Sequence, residues 1–191
     1  MNTRLSGILA QLATCAQPRV LITIDGPCGS GKSTLAGELA AALSAPVVHM
    51  DDFVIPHAQK TPERLAQPGG NADADRLLAE VLLPWLAGEE AFIQPYLCHE
   101  DCFGPAQPLP DSRLQILEGT YSNLPAIAEH AALRLFLTIG PEQQQRRLLQ
   151  RVGAERLTAF NQRWIPLENA YFAAFGLPDP GCLVLPQETG W

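Results

Sequence analysis

The stretch Gly26-Pro27-Cys28-Gly29-Ser30-Gly31-Lys32-Ser33 follows an apolar, β-branched run at residues 19–25 and precedes apolar residues at helical spacing over 33–43. It matches the pattern G-x-x-x-x-G-K-S/T in the strand-loop-helix context that this pattern requires. A phosphate chain is wrapped by backbone N–H groups, and glycine leaves room for that approach. The stretch therefore predicts a loop that binds the phosphates of a nucleotide.

Two side chains of this loop have more specific predicted roles. Lys32 is expected to reach the β- and γ-phosphates of ATP, and the Ser33 hydroxyl to ligate Mg²⁺. The following helix adds unpaired N–H donors and the positive end of its dipole. Thr34, a residue type that more often belongs to the helix start, completes the set. The predicted nucleotide-binding residues are Gly26, Pro27, Cys28, Gly29, Ser30, Gly31, Lys32, Ser33 and Thr34.

Strand and helix patterns alternate along the chain. Strands are predicted over residues 19–25, 46–50, 90–97, 114–118, 133–139 and 182–185. Helices are predicted near Leu5–Leu12 and over 33–43, 73–86, 141–152, 154–164 and 167–175. This alternation predicts an α/β fold with a mostly parallel central sheet and helices on both faces, as one domain over 1–191. Together with the glycine-rich motif it leads us to expect the three-layer α/β/α sandwich of P-loop NTPases. Residues 59–70 and 98–111 are expected to be mobile excursions.

Composition narrows the class of protein. The chain has 191 residues and a formal net charge of −7, so neither nucleic acid nor a membrane surface is an expected partner. The first 17 residues lack the apolar core of a signal peptide, and the five scattered cysteines indicate reduced thiols in a cytoplasmic protein. Cys98 and Cys102 lack a second ligand pair, which argues against a zinc site. Whether the protein is a homo-oligomer stays open.

Three acidic residues follow predicted strands, where parallel sheets bind ligands. Glu118 ends the strand 114–118 before Gly119, and we predict that it helps to hold Mg²⁺. Asp51 and Asp52 directly follow the strand 46–50. Transfer of a phosphoryl group to an alcohol needs a carboxylate that accepts the hydroxyl proton, and either aspartate could supply it. The alternative for this pair is a turn or a helix cap.

Arginines cluster on the helix predicted over 141–152. Arg147 and Arg151 are four residues apart and share one face of that helix. Arginines that close over the transferred phosphate stabilise its charge in the transition state. The other interpretation of this pattern is a solvated helix face.

Six segments, taken in order, resemble the uridine kinase and phosphoribulokinase-like branch of P-loop kinases. The resemblance implies that Asp51 is the base for the substrate hydroxyl, that Asp73 contacts a ribose and that Tyr96 packs on a base. It also implies a short helical lid at about residues 141–156 that carries Arg147 and Arg151. The segments are Ile24-Asp-Gly-Pro-Cys-Gly-Ser-Gly-Lys-Ser-Thr34, His49-Met-Asp-Asp-Phe53, Pro68-Gly-Gly-Asn-Ala-Asp73, Gln94-Pro-Tyr96, Leu117-Glu-Gly-Thr-Tyr121 and Gln145-Arg-Arg-Leu with Arg151.

The departures from this family lie on the substrate side. Leu97-Cys-His-Glu-Asp101 fits the family's histidine and arginine pattern poorly, and Val54 stands where an aromatic residue is usual. A nucleoside is the first expected acceptor, and pantothenate, nicotinamide riboside or another small alcohol is the alternative. A P-loop ATPase or nucleotide switch without an acceptor is the alternative from a different functional class. Neither Lys32 nor Lys60 follows an asparagine, so the guanine-reading motif of GTPases is absent.

Overall fold

The computed structural model describes residues 3–186, so the predicted domain bounds of 1–191 extend beyond it at both ends. Its helices are α1 (Thr3–Leu12), α2 (Lys32–Leu43), α3 (Pro62–Leu65), α4 (Ala74–Leu77), α5 (Leu83–Ala87), α6 (Pro125–Ala128), α7 (Pro141–Ala159) and α8 (Ile165–Phe175). Its strands are β1 (Val20–Asp25), β2 (Val47–His49), β3 (Phe92–Ile93), β4 (Tyr96–Leu97), β5 (Cys102–Phe103), β6 (Gln107–Pro108), β7 (Leu114–Glu118), β8 (Ala131–Leu137) and β9 (Cys182–Leu185).

The central sheet is parallel throughout and has the strand order β2-β7-β1-β8-β9. Helices flank it, which confirms the predicted α/β fold. Glu118 at the end of β7 pairs with Ile24 of β1 on one side and with His49 of β2 on the other. The carboxyl ends of these three strands therefore meet at one edge, where parallel sheets bind their ligands.

Strand β1 shows why this sequence forms the middle of the sheet. All six of its residues are buried, as expected for a parallel strand covered on both faces. Leu21 packs into one apolar cluster with Trp85, while Ile22 and Ile24 pack into a second cluster on the opposite face with Leu35. The alternation follows from the two-residue period of a strand.

The region between α5 and β7 differs from the prediction. A single strand was expected over 90–97, followed by a mobile excursion over 98–111. The structure has two short antiparallel pairs instead, β3 with β6 and β4 with β5. Pro95 lies between β3 and β4, and proline has no N–H to continue a ladder. This hairpin region stands beside the central sheet as two separate two-stranded sheets.

The helices after β8 are more continuous than predicted. Gly153 has non-helical backbone angles inside α7, close to the break expected between residues 152 and 154. A π-helical segment, Phe160–Trp164, then joins α7 to α8. Pro166 does not interrupt this path because it lies in the first turn of α8, where a missing N–H is tolerated. A second π-helical segment, Leu78–Leu82, joins α4 to α5. Within residues 3–186 no helix is long and apolar enough to span a membrane.

Candidate functional site

The phosphate loop lies between β1 and α2, at the carboxyl edge of the sheet. Gly26 has φ 138°, and a Cβ there would lie 2.3 Å from the Leu137 carbonyl oxygen, so only glycine fits. The Lys32 ammonium is buried and donates to the carbonyl oxygens of Gly26, at 2.7 Å, and Pro27, at 3.0 Å. The lysine therefore lies against the first turn of the loop.

The side chains of Ser33 and Glu118 form a pair of adjacent oxygen ligands. The Ser33 hydroxyl lies 3.2 Å from both carboxylate oxygens of Glu118, which is 6% exposed. Hydroxyl and carboxylate oxygens suit Mg²⁺, which takes few protein ligands and completes its shell with water and substrate phosphates. No group of three or more His, Cys, Asp or Glu side chains suited to a metal occurs within residues 3–186. The pair fits a magnesium ion that is also coordinated by the phosphates of a bound nucleotide.

His49 holds the other side of Glu118. Its Nδ1 atom lies 2.6 Å from the Glu118 carboxylate. This hydrogen bond raises the pKa of the His49 imidazole above its ordinary value, although partial burial acts in the opposite direction. His49 was not predicted to belong to the site, because its position at the end of β2 carries no pattern that indicates a contact with β7.

The two aspartates after β2 have different surroundings. They lie in the 3₁₀ turn Met50–Asp52, and Asp51 is exposed on the cavity described below. Asp52 is half-buried, burial raises the pKa of its carboxyl, and its backbone carbonyl accepts a hydrogen bond from Arg76. Among the described residues, Asp51 lines the cavity, and Asp52 does not.

One cavity of about 960 Å³ brings most of the predicted residues together. The predicted residues that line it are Cys28, Gly29, Gly31, Lys32, Ser33, Thr34, Asp51, Glu118, Arg147 and Arg151. Another part of its lining comes from the connections after β2 and β4, and we call this part the loop wall. The loop wall consists of Val54, His57, Lys60, Asn71, Cys98 and His99. The size and lining suit a nucleotide together with a small second ligand.

The predicted arginines reach the cavity from α7. The Arg147 guanidinium donates to the Gly29 carbonyl oxygen at 3.2 Å, so it contacts the phosphate loop directly. Arg151 lies one turn further along α7, and its guanidinium is 5.8 Å from the centre of the Phe160 ring, which also lines the cavity. The alternative of a purely solvated face therefore does not describe Arg147.

Asp73 has a structural role in the described region. Its side chain accepts a hydrogen bond from the backbone N–H of Arg76 at 3.3 Å and so caps α4. It also pairs with the Arg76 guanidinium at 3.4 Å. Asp73 is not among the residues between 3 and 186 that line the cavity. Its predicted contact with a ribose stays a prediction.

Tyr96 is buried behind the loop wall. Its hydroxyl donates to Asp101 and accepts the backbone N–H of His57 at 2.9 Å. Its ring packs edge-on against Phe103, with 5.5 Å between ring centres. Within the described chain, the tyrosine contacts loop-wall residues such as His57 and does not itself line the cavity. Its predicted contact with a base also stays a prediction.

Asp25, directly before the phosphate loop, is a buried acid that the sequence analysis did not single out. Its carboxylate accepts the backbone N–H of Gly26 at 2.6 Å, that of Asn123 at 2.9 Å and the Tyr171 hydroxyl at 2.8 Å. Full burial raises the pKa of Asp25 from 3.8 to about 6, although these hydrogen bonds and Lys32 oppose the shift. Its place next to Gly26 is the one sequence signal that could have indicated it.

Two further cavity residues were missed because they depend on tertiary contacts. Glu168 comes from α8 and is buried against the phosphate loop. Tyr121 follows the Glu118-Gly-Thr segment with φ 81°, an unusual angle for an aromatic residue. Its ring packs edge-on against Tyr171 at 4.9 Å. Strained backbone of this kind is concentrated at functional sites.

Solved structures of three proteins described as candidate kinases share the fold of this chain. A protein from Bacillus stearothermophilus described as a possible uridine kinase has a TM-score of 0.73 and 19% identity, over 95% of this chain and 97% of its own. A protein from Silicibacter sp. TM1040, whose name suggests a fructose transport system kinase, has a TM-score of 0.71 and 24% identity, over 97% and 100%. YFH7 from Saccharomyces cerevisiae, described as a candidate P-loop kinase with a circular permutation, has a TM-score of 0.66 and 13% identity, over 98% and 100%.

These similarities establish the fold of the chain, a P-loop α/β fold shared with proteins described as kinases. They agree with the resemblance found in the sequence motifs. No protein-family profile matches the chain, and no curated protein sequence matches it. At such low identity the chemistry must be argued from the site itself.

Proposed function

We propose that this protein is a kinase that transfers the γ-phosphoryl group of ATP to a hydroxyl group of a small metabolite. The observation that carries the proposal is the convergence of Lys32, Ser33, Glu118 and Asp51 on one cavity. Phosphoryl transfer needs a phosphate-binding loop, a metal site and a carboxylate that faces the acceptor. This edge of the sheet has a candidate for each.

Each residue of the site has a separate role in this reaction. The loop from Gly26 to Ser33 binds the phosphates, and Lys32 and Arg147 compensate their charge. Asp51 accepts the proton of the acceptor hydroxyl and orients its oxygen toward the γ-phosphorus. Ser33 and Glu118 hold Mg²⁺, which supplies charge neutralisation on the phosphates when bound. Residues of about 141–156 act as the lid, since Arg147 and Arg151 approach the cavity from there.

A nucleoside is the first candidate acceptor. The order of motifs resembles uridine kinases, and a solved structure with this fold is described as a possible uridine kinase. Tyr121, Phe160 and Trp164 line the cavity and offer aromatic surface for a base. Such a base would then be held by these residues rather than by Tyr96.

A non-nucleoside alcohol is the second candidate. Tyr96, the residue that the resemblance assigns to the base, is buried behind the loop wall. The loop wall carries the polar side chains His57 and His99 and the positive charge of Lys60. Such a wall also suits a sugar alcohol or a carboxylated alcohol such as pantothenate.

An ATP-consumption screen with Mg²⁺ tests the proposal. The panel contains nucleosides, nicotinamide riboside, pantothenate and small sugar alcohols, and mass spectrometry identifies any phosphorylated product. A Lys32→Met variant prepared in parallel reports contaminating kinases, because removal of the ammonium should abolish the stimulated signal. Stimulation by one compound supports the kinase and names its acceptor. Tight ATP binding without stimulation by any compound would favour a P-loop ATPase or nucleotide switch.

A further inference from the structure

Glu168 is a buried acid in a cavity that is proposed to bind phosphates. It lies in the first turn of α8, is 7% exposed and lines the cavity. A buried carboxylate is costly unless hydrogen-bond donors compensate its charge, and in a phosphate site it also repels the ligand. Its presence at this position therefore calls for a specific role.

Both carboxylate oxygens of Glu168 contact segments that surround the phosphates. Oε2 accepts the backbone N–H of Cys28, in the middle of the phosphate loop, at 2.9 Å. Oε1 lies 3.1 Å from the hydroxyl of Thr120, two residues after Glu118. The same hydroxyl lies 3.2 Å from the Gly26 carbonyl oxygen. Glu168 thus joins the phosphate loop to the segment after β7.

The helices that follow β8 hold the Cys28 peptide groups from two sides. The Cys28 carbonyl oxygen accepts a hydrogen bond from Gln144 of α7 at 2.9 Å, while its N–H is held by Glu168. One turn after Glu168, the Tyr171 hydroxyl donates to Asp25 directly before the loop. Cys28 is 8% exposed, so these polar groups depend on protein partners.

We propose that Glu168 is a positioning residue for the nucleotide: its carboxylate holds the Cys28 N–H and the Thr120 hydroxyl, and so fixes the phosphate loop in its binding shape from α8. The inference rests on the proposed function for the nature of the ligand. It adds a contact by which α8, which continues through a π-helical segment from the helix of the lid arginines, determines the geometry of the phosphate loop. Loss of the acceptor oxygen leaves a buried N–H without a partner, and the loop then departs from the shape that matches the phosphates.

The test measures the affinity of the full chain for MgADP by isothermal titration calorimetry, so no acceptor is needed. Glu168→Ala should weaken binding by about tenfold, because a buried donor is left unsatisfied. Glu168→Gln presents an acceptor oxygen at the same place and should recover binding to within about threefold of the native chain. Asn169→Ala, a change at an exposed neighbour on α8, is the matched control and should bind like the native chain.

Thermal unfolding separates this role from general stabilisation. Should Glu168→Ala fail to fold, Thr120→Val removes the second contact without changing the shape of the side chain, and it should weaken MgADP binding by about threefold. Native-like affinity in Glu168→Ala with a lowered Tm would overturn the inference, and so would equal losses in the Gln and Ala variants. A native chain with no affinity for MgADP would instead overturn the proposed function, and this inference with it.

Discussion

The phosphate loop and the loop wall line the same cavity but are built in opposite ways. The phosphate loop consists of residues that are adjacent in the chain, held by short contacts such as the one between Lys32 and Gly26. The loop wall takes residues from two separate connections, one from Val54 to Asn71 and one with Cys98 and His99. A local motif can therefore specify the first region, whereas the second depends on how separate segments meet. This is why the sequence predicts a phosphate loop residue by residue but leaves the acceptor open.

The two regions also differ in burial. Asp25 and Glu118 support the phosphate loop from buried positions, while His57 and His99 of the loop wall are exposed. The chain's two lysines are divided between them, since Lys32 belongs to the phosphate loop and Lys60 to the loop wall. The exposed residues of the loop wall can therefore vary without disturbing the buried acids that support the phosphate loop.

The largest expected effect comes from Asp51, which lines the cavity that both regions share. Asp51→Asn should lower kcat by roughly 10²–10⁴-fold, because a general base and its orienting hydrogen bond are lost. MgADP affinity should stay near the native value. Steady-state kinetics with the acceptor found in the screen, together with calorimetry, provide both numbers. Asp75→Asn, at an exposed position on α4, is the control. Near-native turnover of Asp51→Asn would remove the aspartate from the mechanism.

The second expected effect is the pH dependence of stability that the buried carboxyl of Asp25 causes. Its pKa in the folded protein is about 6, above the ordinary value of 3.8, so the folded state binds more protons than the unfolded state between these values. The free energy of unfolding should therefore fall by about 3 kcal/mol as pH rises from about 4 to about 6, and this contribution should then stay constant.

Urea unfolding of the native chain and of Asp25→Asn across this range isolates the contribution of Asp25. The difference in unfolding free energy between the two should change with pH between about 4 and 6, with the native chain losing stability relative to the variant as pH rises. A difference that is flat over this window would show that the carboxyl is ionised at its ordinary pKa despite its burial.

The smallest expected effect concerns Tyr96 behind the loop wall. Tyr96→Phe keeps the ring but removes the hydroxyl that holds His57 and Asp101. The KM for the acceptor should rise by roughly 2–10-fold, because the hydrogen bonds to His57 and Asp101 behind the loop wall are lost, and the KM for ATP should not change. Phe92→Leu, at an exposed aromatic residue of β3, is the control. A change in the KM for ATP alone would contradict the assignment of the loop wall to the acceptor.

The sequence by itself determined the fold class and predicted the residues of the phosphate loop. The strand before Gly26, the glycine pattern and the helix after Ser33 are local features, and local geometry follows directly from residue type and period. The positions of Glu118 and Asp51 after strands were also visible, because the ends of parallel strands meet at one edge of the sheet.

Only the tertiary structure decided which of these groups share a contact. It placed Asp51 on the cavity and Asp52 half-buried beside it, and it put Tyr96 behind the loop wall, where its predicted contact is still untested. It also brought Glu168 to the Cys28 N–H across a separation of 140 residues. Such contacts depend on the packing of whole helices against the sheet, which no spacing within one segment records. The two antiparallel pairs, β3 with β6 and β4 with β5, were missed for a different reason. Strands of two residues are too short to show a periodic pattern in the sequence.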